Sequence, residues 1–417
     1  MRILYTITKS EAGGAQTRVY QLAEYFTREG HEVAVMAYPG DSLEKISNSQ
    51  FSRLRQGFGG QAISNQFSNS NFQTSNRIKF YPNKYFKNSY NPFLGLRAMR
   101  EVRKAVIDFK PDIVHCHSTV AGFWTRLSLR QGHSAELSRS PQGKPRVIFT
   151  AHGWGFTEGA SFFRKILIPF AEKIAAKYCD KIICVSEYDK ELALKYKITT
   201  KDKLITIYNG VEVTNYKLQI TNKSQIPNSK LQIVFVGRLD EPKKPELLLK
   251  AFSELSDDIK ARAEVLIVGE GSKKEFLISN FKFLKNVKFL GGLTREKVFE
   301  VLRESDVFVL TSNYEGFPIT ILEAMSCELP IIASDVGGIK EALTPEIGFL
   351  IKRPSFAKSF GRVKDNVEEL KKALTELIEN KELREKMGRE ARERMEKEFS
   401  LEKMLSKTEN VYNIAIQ

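Results

Sequence analysis

Apolar residues fall into two alternating patterns along this chain. Short runs dense in Ile and Val are separated by stretches whose apolar positions recur at helical spacing. ILYTIT (3–8) passes through a glycine turn into TRVYQLAEYFTREG, which has helical periodicity, and then into HEVAVMA (31–37). DIVHCHS (112–118), VIFTAH (147–152), KIICVS (181–186) and LITIYN (204–209) continue the series as strands. A second series runs LQIVFVG (231–237), EVLIVG (264–269), NVKFLG (286–291), DVFVLTS (306–312) and PIIASD (330–335). Strands this apolar are covered on both faces, which indicates parallel sheets flanked by helices. Two series predict two doubly wound α/β domains joined near residues 210–230, followed by a charged helical tail from about Glu379 to Gln417.

Length agrees, since 417 residues exceed one ordinary domain and suit two of about 200 each. No run of ~18 uncharged apolar residues is present, so no membrane-spanning helix is expected. MRILYTIT enters a strand directly, without the regions of a signal peptide, and a cytoplasmic location is the expectation. The four cysteines form no CxxC pair and read as buried free thiols in a reducing compartment.

Charge narrows the partners. The formal net charge is +15, and residues 51–110 hold eleven Lys/Arg against two Asp/Glu. An anionic partner follows. With no zinc-finger spacing and no RNP-type aromatic strand, nucleic acid is set aside in favour of phosphates or a membrane surface. Four stretches break the pattern: 42–77, 128–146 (sharing LRQG), 217–233 (KLQI twice) and 353–366. They read as low-complexity insertions in surface loops, chance repetition being the alternative, and are not expected to carry chemistry.

EGFPITILE (315–323) has a carboxylate at each end. Two nearby acids suggest a glycosidase-like pair, but helix geometry argues otherwise. Pro318 suits a first helical turn. At ~1.5 Å per residue, Glu323 then stands roughly 7 Å along the axis from the helix start, with Glu315 just outside it. The acids line one wall. Between them the amides of Phe317, Ile319 and Thr320, with Gly316 in the same turn, form an anion site. That layout suits a nucleotide sugar, which presents ribose, diphosphate and sugar in line. The plainer alternative is a helix-terminal acid and an unrelated surface acid.

Other motifs add to this. VGRLDEPKK (236–244) delivers Arg238 at a strand's carboxyl end and Lys243 five residues on, a pair able to clamp a diphosphate, or simply solvated charge. EAGGAQ (11–16) offers Gly13 and Gly14 for close backbone approach to a phosphate or sugar. VGEGS (268–272) reads as a tight strand-to-helix turn. TAHGWGF (150–156) ends a strand with His152, which points into the crevice or is a structural histidine. His115 and His117 share one face of the preceding strand, and without a suitably spaced acid no metal site is expected.

GGAQ, TAHG, GRL followed by Lys243, FLGGL (289–293), the E-x7-E of EGFPITILE, EAMSCELPIIASDVGG and the tail FSLEKMLSKTENVYN occur in this order. Together they resemble the family-4 retaining glycosyltransferases of the GT-B fold, over nearly the whole chain apart from the insertions. The resemblance implies an α/β GT-B architecture of two Rossmann-like domains with the active site in the cleft between them. Residues 1–212 would bind the acceptor, 213–395 the nucleotide sugar, and 396–417 would form a helix crossing back. Carried across residue by residue, Glu323 binds the ribose hydroxyls and Glu315 the donor sugar. Arg238 and Lys243 hold the diphosphate, and the backbone of Leu293 meets the base. Gly14 lies in the loop over the donor, and His152 stands near the transferred sugar. His152 and Glu315 are thus the catalytic candidates, and the other residues bind donor. No DxD motif is present, which implies metal-independent chemistry with a nucleotide-sugar co-substrate, commonly a UDP-sugar, and no cofactor. The implied reaction retains anomeric configuration by front-face attack, the leaving diphosphate being stabilised by Arg238, Lys243 and the helix N-terminus. Lys244 departs from the family's common glycine.

The acceptor is expected to be a glycan or lipid-linked glycan. SFFRKILIPFAEKIAAKYC (161–179) is an amphipathic helix whose apolar side either packs into the core or, with the basic 77–110 region, rests on the anionic inner face of a membrane. Rival functions are a GT-B sugar epimerase, which needs further acids in the cleft, and a non-catalytic sugar-nucleotide-binding subunit, against which the intact Arg238, Lys243, Glu315 and His152 set argues.

Overall fold

The computed structural model describes residues 1–8, 13–39, 78–87, 91–130, 144–157, 160–213, 230–352 and 366–417. The insertion readings at 42–77 and at most of 128–146, 217–233 and 353–366 lie outside the described residues. The second KLQI runs directly into a strand. Two compact units emerge, Met1–Tyr208 with Met404–Gln417, and Asn209–Lys403.

The first unit is built on seven parallel strands in the order β3-β2-β1-β4-β5-β6-β7. They are β1 (Arg2–Thr6), β2 (Glu32–Ala37), β3 (Lys79–Pro82), β4 (Ile113–His117), β5 (Arg146–Ala151), β6 (Lys181–Cys184) and β7 (Leu204–Thr206). The order reverses between β1 and β4, which places a switch point at their carboxyl ends. Helix Gly14–Arg28 links β1 to β2. Helices Pro92–Phe109, Thr119–Ser128 and Ile-rich Phe162–Ala176 follow β3, β4 and β5, so right-handed crossovers lay all three on the opposite face. Thr119–Ser128 packs against both of its neighbours.

One buried ion pair ties that layer together. Arg126 Nη2 meets Glu172 Oε2 at 2.8 Å, with both side chains out of solvent, and the guanidinium lies 3.9 Å over the Phe149 ring. From Met404 the last helix, Leu401–Ile416, packs on the other face. There the Tyr412 ring stacks on Phe26 at 4.9 Å and the Tyr25 hydroxyl donates to Glu409 at 2.9 Å.

Helix Phe162–Ala176 answers both sequence readings at once. Ile168, Ala175 and Ala176 are buried, whereas Phe162, Phe163, Ile166, Leu167 and Phe170 are exposed. The helix is apolar on its inner and outer sides.

The second unit carries six parallel strands in the order β10-β9-β8-β11-β12-β13. They are β8 (Leu231–Val236), β9 (Ala263–Val268), β10 (Val287–Gly291), β11 (Val307–Leu310), β12 (Ile331–Ser334) and β13 (Gly348–Ile351). The eleven sequence-predicted strands are present, and two more appear, β3 and β13. Both are four-residue edge strands: β3 (KFYP) lacks the apolar density of the central strands, and β13 (GFLI) is apolar but too short a run to declare its period.

Candidate active site

In the second unit the loops after β8 and β11 converge. β8 ends in Gly237 and the exposed Arg238. The chain then turns back, with Lys243 N–H donating to Asp240 O at 2.9 Å and Lys244 N–H to Thr311 O at 2.9 Å. Thr311 Oγ1 returns a bond to Lys244 O at 2.6 Å. This stitching at the end of β11 fixes the aim of Lys243. Its Nζ donates to Glu315 Oε1 at 2.6 Å, in a pair whose side chains are only 13% and 11% exposed. The base and the acid that the sequence assigns to diphosphate and sugar therefore bond to each other.

Glu315 is set by a close backbone approach. Gly337 has φ +54, and a Cβ there would stand 1.8 Å from Glu315 O, so a side chain at 337 would displace the loop. Gly338 N–H donates to Gly316 O at 3.0 Å, and Asn209 Nδ2 donates to Phe317 O at 2.6 Å. Phe317 is buried against Phe399, their ring centroids 5.1 Å apart.

The helix that follows begins one residue later than the sequence suggests. Pro318 is extended (φ −72, ψ 123) and caps helix Ile319–Ser326 instead of standing in its first turn. The physical reason is that Pro318 O accepts from Ile321 N–H at 3.3 Å, so proline supplies the first carbonyl of the helix, not its first amide. The Phe317 amide lies before the helix, whereas those of Ile319 and Thr320 stand in the first turn, ahead of the i→i−4 ladder. Thr320 Oγ1 is buried with no hydrogen-bond partner among the described residues, and so is Ser312 Oγ. One turn on, Glu323 is buried, with Arg295 Nε 3.2 Å from its Oε1. Burial pushes the Glu323 carboxyl up and the Arg295 charge pulls it back. The half-buried Leu293 stands two residues before Arg295, after β10.

VGEGS is tied to its neighbours. Leu239 N–H donates to Glu270 O at 2.8 Å, and Asp240 accepts from the Ser272 amide at 2.7 Å and hydroxyl at 2.5 Å. It is a strand-to-helix turn that braces the β8 loop.

In the first unit Gly14 opens helix Gly14–Arg28, and Gly13 O accepts from Thr17 N–H at 2.9 Å. One turn along, buried Arg18 donates to Ile207 O at 3.2 Å. The partly exposed His152 follows β5, with its Nε2 2.9 Å from His117 Nδ1. His117 is fully buried, and its Nε2 has no partner among the described residues. His115 bridges Tyr412 (2.5 Å) and Thr150 (2.7 Å). Burial, then the Arg18 charge, lowers His152 to about 3. Burial likewise holds His115 and His117 well below the usual imidazole range, helped by neighbouring histidines and Arg18. The cluster is neutral at physiological pH.

Residues 217–394 match the family Glycosyl transferases group 1, and residues 12–215 match Glycosyltransferase Family 4. The chain is 30% identical over 287 residues to the UDP-Gal:alpha-D-GlcNAc-diphosphoundecaprenol alpha-1,3-galactosyltransferase of Escherichia coli, an alignment covering 65% of this chain and 71% of that protein. This chain is a group 1, family-4 glycosyltransferase. Its fold is that of the GT-B enzymes. Sucrose-phosphate synthase of Thermosynechococcus elongatus superimposes with a TM-score of 0.75 at 18% identity, covering 99% of this chain and 98% of that one. HepE of Anabaena, crystallised with UDP and glucose, superimposes with a TM-score of 0.69 at 16% identity, covering 99% of each chain.

Two residues beside the candidate side chains, one in each unit, escaped the sequence reading. Arg295 lies just past the FLGGL motif, in the first turn of helix Arg295–Glu304, and its position beside Glu323 depends on how that helix packs. Arg18 reads as a helix-surface cation until burial is seen. The helical spacing of Gly14 and Arg18 was the available signal.

Proposed function

We propose that this glycosyltransferase moves a sugar from a nucleotide sugar, in our reading a UDP-sugar, to a hydroxyl of a glycan or lipid-linked glycan, with retention of configuration. The observation that carries this reading is the amino end of helix Ile319–Ser326. There the Lys243–Glu315 pair stands just before the helix, the first-turn amides follow, and the Thr320 hydroxyl, buried with no partner among the described residues, lies one turn before the Glu323 carboxylate. Such a row presents acceptors for hydroxyls at both ends and donors for an anion between them.

In this reading Glu323 accepts from the ribose, and Leu293 offers backbone to the base. Arg238, Lys243 and the amides beside Gly316, Phe317, Ile319 and Thr320 hold the diphosphate. Glu315 accepts from the donor sugar, Gly14 approaches the donor, and His152 meets the transferred sugar as a neutral group. The anomeric carbon–oxygen bond to phosphate breaks as the acceptor oxygen bonds to that carbon, and the acceptor's proton passes to the departing phosphate oxygen. Positive charge for the leaving group comes from Arg238, Lys243 and the helix end, so we read the reaction as metal-independent. The relative's name specifies UDP-Gal and a diphosphoundecaprenol-linked acceptor, which supports a UDP-sugar and a lipid-linked acceptor here. A lipid-linked acceptor places the enzyme on the cytoplasmic face of a membrane, as a peripheral protein.

Nucleoside diphosphate release with a panel of nucleotide sugars tests the reading. Turnover is expected with at least one donor, unchanged by a metal chelator and lowered by about 10²–10³-fold in Glu315→Ala. Release with no donor overturns the transfer reading, and full turnover in Glu315→Ala overturns the site.

A further inference from the structure

We propose that the outer face of helix Phe162–Ala176, together with the amino end of helix Pro92–Phe109, is a docking surface for an anionic phospholipid bilayer. Phe162 and Phe163 are each 73% exposed, Phe170 is 65% exposed and Leu167 63%. Phe93, at 78%, and Leu96 expose further apolar side chains near the amino end of the second helix, which lies beyond helix Thr119–Ser128 on the same layer. Scattered exposed apolar residues are ordinary, but large side chains recurring on one outward helix face mark an interaction surface.

Charge identifies the occupant. The exposed charges of this segment are Arg164, Lys173 and Lys177, all positive. Its one acid, Glu172, faces inward and is spent on Arg126. On helix Pro92–Phe109 the exposed Arg97 and Arg100 flank Phe93 and Leu96. Aromatic and aliphatic side chains bordered by cations, with no exposed acid among the described residues of helix Phe162–Ala176 or the first turns of helix Pro92–Phe109, suit the headgroup–acyl boundary of an anionic leaflet. A protein partner of matching charge would meet the same cations without needing five bulky apolar groups on one helix.

Position gives the surface its use. In a parallel sheet with right-handed crossovers, the helices run against the strands, so both amino ends lie along the sheet's carboxyl edge. That is the edge on which His152 stands. The link is direct: a Cβ on Gly155, three residues after His152, would lie 3.0 Å from Ile168 Cδ1 and 3.8 Å from Arg164 Nη2. The loop of the candidate catalytic histidine thus packs on the first turns of the helix whose other side meets lipid. This deepens the lipid-linked acceptor reading and rests on it for purpose: an acceptor sugar at the leaflet surface would be presented beside His152.

Co-sedimentation of the full chain with vesicles of phosphatidylcholine, with and without phosphatidylglycerol, tests the surface. No donor or acceptor is present, so its outcome is independent of transferase activity. Binding is expected only with the anionic lipid, falling by roughly tenfold in Phe163→Ser/Phe170→Ser and in Lys173→Glu/Lys177→Glu. The substituted side chains are exposed, so both variants should melt as the parent does. Turnover on a water-soluble acceptor should be unchanged in both. Absence of binding to anionic vesicles, or binding that survives both double substitutions, overturns the proposal. So does a concentration-dependent dimer of the parent that either variant abolishes, because the face would then be covered by a second copy.

Discussion

Thr320, in the first turn of the helix that follows EGFP, has a buried hydroxyl with no partner among the described residues. An unsatisfied buried hydroxyl costs folding free energy, on the order of 1–3 kcal/mol, unless a ligand completes it. Thr320→Val keeps the shape and removes the polar group. The variant should therefore fold at least as stably as the parent, while its affinity for UDP, measured by titration calorimetry, falls by up to about tenfold. Equal affinity would show that the hydroxyl does not face the donor. The neighbouring carboxylates were legible in the sequence because a helix start and an eight-residue spacing define where each acid stands. Their partners were not. Lys243 bonds Glu315 because the β8 loop is stitched to Thr311, and Arg295 reaches Glu323 because two helices pack. Neither contact leaves a mark on local spacing.

Helix Ile319–Ser326 is positioned as a unit. Arg392, on helix Lys381–Glu398, donates through Nη1 to Ser326 O at 3.1 Å, satisfying a carboxyl-terminal carbonyl. The same long helix lets the turn after Ser326 approach closely: a Cβ on Gly388 would stand 2.0 Å from Glu328 O. Replacing a mid-helix glycine by alanine ordinarily gains about 1 kcal/mol. Here the methyl meets backbone, and overpacking of this kind costs 1–3 kcal/mol or more. Gly388→Ala should lower the thermal midpoint and weaken UDP binding together, since the displaced turn carries the candidate donor helix with it. A rise in midpoint would sink this account. At this scale the central strands and long helices were legible from periodicity. Strands β3 and β13 were not: KFYP is half polar, and GFLI is a four-residue apolar run too short to show a period. The one-residue shift at Pro318 belongs to capping geometry, which composition does not determine.

Across the whole molecule, histidines held neutral by burial contribute to the response to acid. His115, His117 and His152 all have folded pKa values depressed below the ordinary ~6.5. Between that value and the depressed ones, the unfolded chain binds protons that the folded chain refuses. Their contribution to stability is complete above about pH 6.5 and is lost progressively as pH falls below it, with a slope of up to about 1.4 kcal/mol per pH unit for each imidazole. Glu172 and Glu323, raised by burial, act in the opposite direction. Comparison with His117→Gln isolates the histidine part: the fall in thermal midpoint from pH 7 to pH 5 should be shallower in the variant than in the parent. An equal fall would assign the acid sensitivity elsewhere.

By itself the sequence determined two doubly wound α/β units, the order of their central strands along the chain, and the candidate donor residues, because hydrophobic period, turn chemistry and motif spacing are local properties. Only the tertiary structure decided which side chains pair, that His152 meets the buried His115, His117 and Arg18 in one cluster, and that helix Phe162–Ala176 turns half its apolar surface outward. Those outcomes depend on what lies across a packed interface, and residues brought together over a hundred positions of chain carry no shared local pattern.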